Sequence, residues 1–373
     1  MRTTTILSQL FILYSSLLMT VSAEPTKSKS RLKAEEFGSL QNSRIALKVV
    51  KLDQEIVYFT NSVSTEEQKE LSKIAPNLKL VTGLSQTEAI ARASEAHGAD
   101  SRYASPAFLA KATNLKWVQV MSAGVDRYLS NEPLMKNDAI VLTNFRAVHG
   151  PAIADHSMAM LLSLTRQLRF YTEKQKEQNW SRGNRSIKPI SLDGKTMLVV
   201  GLGGIGSEIA QRANGFGMRV IGTRRSDKPS ADYIEKVGKP ADLIKMLPEA
   251  DVVALAVPLT AETANLINKE AFAAMKKGSY LINIARGKVV DTDAMIAALK
   301  NGKLAGACLD VTDPEPLTKG HPLWEFPNVV ITPHMASRSE VTNQRRAALL
   351  RENLRRFASG EPLLNVVDKE RGY

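Results

Sequence analysis

Six residues near the middle of the chain, Gly201-Leu202-Gly203-Gly204-Ile205-Gly206, have the spacing Gly-x-Gly-x-x-Gly. The apolar run Thr196–Val200 precedes them and a helical stretch, Ser207–Ala213, follows. A dinucleotide-binding loop requires this strand–loop–helix setting. Gly201 permits the tight turn, Gly203 lets backbone approach a pyrophosphate, and Gly206 lets helix and strand pack closely. Backbone amides at the helix start, those of Gly204 and Ile205 among them, would face the phosphates. The alternative is a glycine-rich turn with no ligand, and the setting argues against it.

The next apolar run, Met218–Gly222, ends in Thr223-Arg224-Arg225-Ser226. An NAD site usually carries an acid about 20 residues past the loop, to accept from the ribose hydroxyls. Arg224 stands there instead, and no acid follows until Asp227. Guanidinium groups match a 2′-phosphate in charge and in bidentate geometry. The sequence therefore predicts NADP(H), with Arg224 and Arg225 as the selecting side chains. If both arginines only face solvent, NAD is the alternative.

A loop of this kind must be held by a buried sheet. Short β-branched runs alternate with helical stretches along the chain: Glu55–Thr60, Leu78–Thr82, Trp117–Met121 and Ile140–Thr143 read as strands, and Ser64–Ala75 as a helix capped by Ser64 or Thr65. A second block continues with Thr196–Val200, Met218–Gly222, Asp251–Val257, Tyr280–Ile284, Gly306–Leu309 and Val329–Thr332. Alternation of this kind predicts parallel sheets with crossover helices. Ile153–Phe170 reads as one long helix, apolar on several faces and so buried between layers or subunits. Val341–Ala358 reads as a closing helix with a basic face.

The chain of 373 residues suggests two domains. With 43% hydrophobic and 24% charged residues it is neither a disordered chain nor a polytopic membrane protein. Its one cysteine, Cys308, excludes an intramolecular disulfide and a cysteine-based zinc cluster, and no spacing supports another metal site. The net charge of +12 leaves an anionic partner open. The basic residues are spread along the chain without an aromatic-interleaved patch, so nucleic acid is not expected as a partner. Residues 1–23 read as a secretory signal peptide. Arg2 precedes an apolar run from Ile6 to Val21, and Val21-Ser22-Ala23 offers small residues for cleavage. That run is shorter than the roughly 20 residues a spanning helix needs, so the mature chain is expected to have no membrane span. Residues 24–44 read as a polar linker. Export to a periplasmic or extracellular space is expected, with a cytoplasmic location as the alternative.

Four further signatures accompany the loop. Leu192-Asp193-Gly194-Lys195 precedes it. Val257-Pro258-Leu259-Thr260-Ala261-Glu262-Thr263 with Leu266-Ile267-Asn268 comes next, then Asn283-Ile284-Ala285-Arg286-Gly287 running to Asp291. Leu309-Asp310-Val311 with Glu315-Pro316 and Thr332-Pro333-His334 completes the set. Together and in order, from about Glu55 to Val367, the chain resembles the D-isomer-specific 2-hydroxyacid dehydrogenases. Ser122-Ala123-Gly124-Val125-Asp126 and the arginine pair bring it nearest to the glyoxylate/hydroxypyruvate reductase branch. The resemblance implies two Rossmann/flavodoxin-like doubly wound parallel-sheet domains around a cleft. Residues 45–147, completed by 336–373, would bind substrate, and 148–335 would bind NAD(P). It also implies a homodimer.

Reduction of a 2-oxo acid needs a hydride at the carbonyl carbon, a proton at its oxygen and a cation for the carboxylate. Arg286 fits the clamp. His334 fits the general acid, as an imidazole, the side chain whose charge changes near neutral pH. Glu315 fits the partner that orients the imidazole and favours its protonated form. The resemblance matches these three to the family's catalytic set, and Ala123, Gly124 and Val125 to the loop that holds the substrate carboxylate. It further implies cofactor contacts from Val257, Pro258, Thr263, Ile284 and Ala285, and from Asp310 near the nicotinamide carboxamide. His97, His149, His156 and His321 are expected to be structural or at the surface, with a substrate role for His149, near the interdomain crossover, as the weaker alternative. Asp155 replaces a usual Glu, and Arg338 stands where small residues are usual, which leaves the particular oxo acid open. The expected protein is an NADP(H)-preferring reductase of small 2-oxo acids. The alternative is a dinucleotide-sensing binding protein on the same scaffold.

Overall fold

The computed structural model describes residues 33, 54–182 and 189–372. The expected signal peptide (1–23) and, apart from Lys33, the expected linker (24–44) lie outside the described residues. Twelve strands form two fully parallel sheets within one compact unit. The first sheet holds β1 (Ile56–Phe59), β2 (Leu78–Val81), β3 (Gly98–Asp100), β4 (Trp117–Gln119) and β5 (Val141–Thr143), in the order β2-β1-β3-β4-β5. The second holds β6 (Thr196–Val200), β7 (Arg219–Thr223), β8 (Ile234–Gly238), β9 (Val252–Leu255), β10 (Ser279–Asn283), β11 (Leu304–Leu309) and β12 (Val329–Ile331). Its order is β12-β11-β10-β9-β6-β7-β8. The strand order reverses at β6, which has β7 on one side and β9 on the other, both parallel to it. In open α/β sheets, ligands bind in the crevice beside such a reversal, past the carboxyl ends of the strands.

The larger sheet is buried on both faces, which is why its strands are unbroken apolar runs. Along β6, Leu198 and Val200 face one core with Ile221, Val253, Leu255 and Leu281. Met197 and Val199 face the other, with Val220, Ala254, Ile282 and Cys308. The helix Gly150–Thr165 closes that second face through Ile153, Ala154, Met158 and Leu161. The single long helix expected over Ile153–Phe170 is instead two. Gln167 takes a left-handed backbone (φ +57), which ends the first helix and starts a second at Leu168–Lys176.

The closing helix Glu340–Ala358 returns from β12 to the smaller sheet. Leu349, Leu350, Leu354 and Phe357 pack there on Ile56, Tyr58, Trp117 and Val141. Leu71 and Ala75, from the helix Thr65–Ile74 and its end, join the same core. Ser64 caps that helix, with its side chain on the Glu67 amide and Glu67 reaching back to the Ser64 amide. Among the described residues no helix is long and apolar enough to cross a membrane.

Candidate active site

Strand ends place the candidate residues. The glycine loop leaves β6 where the strand order reverses, and Gly201 adopts φ +101 there. A Cβ on Gly206 would overlap the Gly201 carbonyl, whereas a Cβ on Gly203 would meet nothing within 4 Å. Gly206 is thus required for packing, and Gly203 leaves the backbone open to a ligand. The helix Gly204–Gly215 starts directly behind it, with its first amides unsatisfied by a capping side chain. This cradle fits the diphosphate of a dinucleotide. Gly203, Gly204, Ile205 and Gly206 would hold it through backbone.

Other expected cofactor contacts follow β9 and β10 of the same sheet. Val257 lies beside the glycine loop, with its Cγ1 2.8 Å from where a Cβ on Gly201 would sit. The Thr263 hydroxyl donates to the Pro258 carbonyl at 2.6 Å and accepts the Thr260 amide at 2.8 Å, closing the 258–263 turn. Ile284 and Ala285 are buried at the end of β10. Arg224 and Arg225 follow β7, as expected, but they are used differently. The Arg224 guanidinium donates to the carbonyls of Ser226 (3.1 Å), Lys228 and Pro229 (3.3 Å), and to Ser230 Oγ (3.1 Å). In this arrangement it braces its own loop. The charge of Arg225 reaches Glu262, adding to the Thr260 hydrogen bond that chiefly holds that carboxyl below its usual range.

Arg286 follows β10. Asn283 shapes its turn, accepting the Ala285 amide (3.1 Å) and donating to the Arg286 carbonyl (3.0 Å). The guanidinium donates through Nη1 to the Ala285 carbonyl and through Nη2 to Asp126 Oδ1, both at 2.8 Å. Asp126 ends the loop Ser122–Asp126 that leaves β4 of the other sheet. A Cβ on Gly124 would overlap Arg286 Nη2, so only glycine admits the guanidinium here. The loop is itself pinned. Ser122 Oγ donates to the Gly124 carbonyl (2.7 Å), and Asn144 Nδ2 to the Ala123 carbonyl (2.8 Å).

His334 follows β12 and sits at φ +49. Its amide donates to the Asp310 carbonyl at 2.8 Å. Its Nδ1 lies 2.7 Å from Glu315 Oε1. A carboxylate only accepts, so Nδ1 carries the hydrogen and Nε2 is the exchanging position. Asp310, nearly fully buried, accepts the Met335 amide (2.9 Å), the Ala336 amide (3.0 Å) and the Thr332 hydroxyl (2.6 Å). Its carboxylate therefore shapes the loop that carries His334. The Thr332 hydroxyl spends its one hydrogen on Asp310, so it accepts from His156 Nε2 at 2.9 Å. The turn of Arg286 meets the loop of Glu315, because a Cβ on Gly287 would overlap the Thr312 carbonyl.

Three contributors escaped the sequence reading. Asp126 was visible in the Ser-Ala-Gly-Val-Asp run, but nothing local showed its partner. Asn144 and His156 act through contacts of long sequence separation, which no spacing reveals. His149 is buried and accepts from Arg346 Nη2 at 2.8 Å, a structural role as expected. His97 Nδ1 accepts the Val57 amide at 3.1 Å, and His321 caps a short 3₁₀ turn.

A glycine loop at the reversal of strand order, with a cationic clamp and an oriented imidazole at strand ends of the same sheet, defines an NAD(P)-dependent dehydrogenase. Residues 158–336 match the family model described as D-isomer specific 2-hydroxyacid dehydrogenase, NAD binding domain. The chain is 37% identical over 264 residues to a glyoxylate reductase of Thermofilum pendens, covering 69% of this chain and 76% of that one. It superposes on a D-isomer specific 2-hydroxyacid dehydrogenase family protein of Aeromonas salmonicida with a TM-score of 0.73 at 34% identity, over 85% of this chain and all of the other. A second such dehydrogenase, from Xanthobacter autotrophicus in complex with NADPH and MES, gives 0.71 at 30% identity over 86% of this chain and all of the other. The chain belongs to the D-isomer specific 2-hydroxyacid dehydrogenase family, and is an NAD(P)-dependent hydroxyacid dehydrogenase.

Proposed function

We propose that the chain reduces a small 2-oxo acid of the glyoxylate or hydroxypyruvate type with NADPH, giving the D-alcohol where the product is chiral. The observation that carries this reading is the Arg286 guanidinium seated on the 122–126 loop past the end of β10, with the Glu315-oriented His334 past the end of β12, two strands along the same sheet. The bound cofactor supplies the hydride to the carbonyl carbon. Arg286 and the amides of Ala123, Gly124 and Val125 hold the substrate carboxylate. His334 Nε2 gives its proton to the carbonyl oxygen, and Glu315 keeps the ring in place and stabilises the imidazolium. In the oxidative direction His334 takes that proton back.

Residues 148–335 would bind the dinucleotide, and 45–147 with 336–373 would present the substrate loop. Closure of the cleft would exclude water. Preference for NADPH is supported by the basic end of β7 and by the NADPH-bound Xanthobacter relative. Arg225 is the side chain we assign to a 2′-phosphate, on a loop that Arg224 holds. The glyoxylate reductase of Thermofilum pendens supports the substrate class. Exposed Leu168, Trp180 and Phe216 support a homodimer built on the larger lobe. The leader sequence supports export.

The test is spectrophotometric. Residues 24–373 are assayed for loss of NADPH or NADH absorbance with glyoxylate, hydroxypyruvate, pyruvate and phenylpyruvate. Turnover favouring NADPH with the two smaller acids, reduced in Arg225→Ala, supports the reading. Preference for NADH removes the cofactor assignment and leaves the enzyme. Binding without turnover on any oxo acid removes the substrate assignment.

A further inference from the structure

The glycine loop offers a diphosphate only neutral amides. From Gly201 to Gln211 there is no lysine or arginine, and the next cation, Arg212, is paired with Asp155 and Glu208. A dinucleotide diphosphate carries two negative charges, so the cradle as described lacks a cation.

One arginine nearby lacks an anion. Arg146 follows β5, where the chain crosses from the smaller sheet to the helix Gly150–Thr165. Its backbone is fixed, with the amide on Asn144 Oδ1 (3.1 Å) and the carbonyl accepting Asn365 Nδ2 (2.9 Å). Its neighbours touch both halves of the site. Asn144 and Phe145 hold the carbonyls of Ala123 and Ser122, at 2.8 and 3.0 Å. Ala147, at φ +65, lies against the glycine loop, with its Cβ 2.9 Å from where a Cβ on Gly204 would sit.

The Arg146 guanidinium is half-buried, yet it makes no hydrogen bond or ion pair with any described residue. Burial lowers its pKa, and no acid offsets this. Other half-buried arginines are engaged. Arg286 meets Asp126, Arg355 meets Glu352 and Glu361, and Arg346 gives its hydrogen bonds to His149. A desolvated cation left unpaired is costly, and persists where a ligand completes it.

We propose that Arg146 is an additional dinucleotide-binding side chain, supplying the cation for the cofactor diphosphate that the glycine loop lacks. A substrate carboxylate is the weaker match, because Arg286 already stands on the substrate loop. Arg146 belongs to the crossover beside the smaller sheet, while the glycine loop belongs to the larger one. A diphosphate held by both draws the two lobes together before the oxo acid arrives. The inference rests on the dinucleotide assignment, and is independent of which oxo acid or which cofactor phosphate is preferred.

The experiment is calorimetric titration of the purified chain with NADPH, ADP-ribose and AMP, the last lacking the diphosphate bridge. In Arg146→Gln, affinity for NADPH and ADP-ribose should fall about 10- to 100-fold, the range of a lost charge-assisted pair, with AMP unchanged. Arg146→Lys should recover part of the loss, as a cation without the fork. Removing an unpaired cation should leave the melting temperature of the chain alone equal or higher, so misfolding is recognised separately. Unchanged dinucleotide affinity overturns the proposal. If KM for the oxo acid rises instead, the arginine serves the substrate. If neither moves, it serves only the fold. An equal loss for AMP places its effect on the adenosine end and also overturns it.

Discussion

Arg286 Nη2 donates to Asp126 Oδ1 at 2.8 Å, joining the carboxyl end of β10 to the loop that leaves β4 in the other sheet. Burial opposes charge on Asp126, but the hydrogen bond and charge of Arg286 outweigh it and hold the carboxyl below its usual range. The ion pair therefore fixes the guanidinium where the substrate loop can share it. In Asp126→Ala the fork is free to turn. We expect kcat/KM for the oxo acid to fall about tenfold, roughly 1.4 kcal/mol, while dinucleotide affinity stays the same. Steady-state kinetics beside a binding titration check this. An unchanged kcat/KM would mean that Asp126 is not a brace.

The His334–Glu315 contact separates proton transfer from binding. His334→Ala removes the acid and should cost about 10²- to 10⁴-fold in kcat. Glu315→Gln keeps the shape but loses the charge that stabilises the imidazolium, so the loss should be smaller. Neither side chain belongs to the glycine loop, so NADPH affinity should be retained in both. A loss of cofactor binding equal to the loss of turnover would contradict the assignment.

Much of this was legible because parallel strands buried on both faces are unbroken apolar runs. Thr196–Val200 is a strand with the same bounds in sequence and structure. Gly98–Asp100 and Ile234–Gly238 were not read as strands. The first is three residues, one of them the buried Asp100, held by Tyr58, Thr60 and Ser62 from β1 and the turn after it. The second lies at a sheet edge, where the adjacent charges Glu235 and Lys236 interrupt any apolar run. The break after Thr165 was hidden because Leu164 to Phe170 continues a helical pattern, and nothing in that pattern marks Gln167 as left-handed. The triad was legible only as a resemblance. Its members lie on separate strands, and nothing local to Glu315 shows that it meets a histidine 19 residues on.

His149 gives the fold a measurable pH response. It immediately precedes the helix Gly150–Thr165, and its Nε2 accepts from Arg346 Nε (3.2 Å) and Nη2 (2.8 Å). Burial first, then the charge of Arg346, push its pKa down to about 4. The folded chain thus holds it neutral, while the unfolded chain protonates it near 6.5. Stability from this site is complete above pH 6.5 and is lost as pH falls from there toward 4, up to about 3 kcal/mol. Urea unfolding at pH 7 and at pH 4.5 measures the difference. In His149→Gln the difference should shrink, and an equal fall in both proteins would assign the acid sensitivity elsewhere.

The closing helix returns from β12 to complete the smaller lobe, and Phe357 is its largest fully buried side chain. Its ring is fully buried, 5.1 Å from that of Trp117, which in turn lies 4.8 Å from Tyr58. Trp117 Nε1 also donates to Thr143 Oγ1 at 2.8 Å, so this stack ties β1, β4 and β5 to the helix. Phe357→Ala would leave a ring-sized cavity at that point, at a cost of about 3–5 kcal/mol. That is a large share of the roughly 5–15 kcal/mol that stabilises a typical domain. The glycine loop and its cores lie in the other sheet, so dinucleotide binding, weakened by the loss of Arg146 from its place, should still outlast turnover. Arg286 needs the 122–126 loop of the weakened lobe, so turnover should fall first on warming. Parallel measurement of NADPH binding and oxo acid reduction against temperature tests this order. Simultaneous loss of both would mean that the two lobes unfold as one.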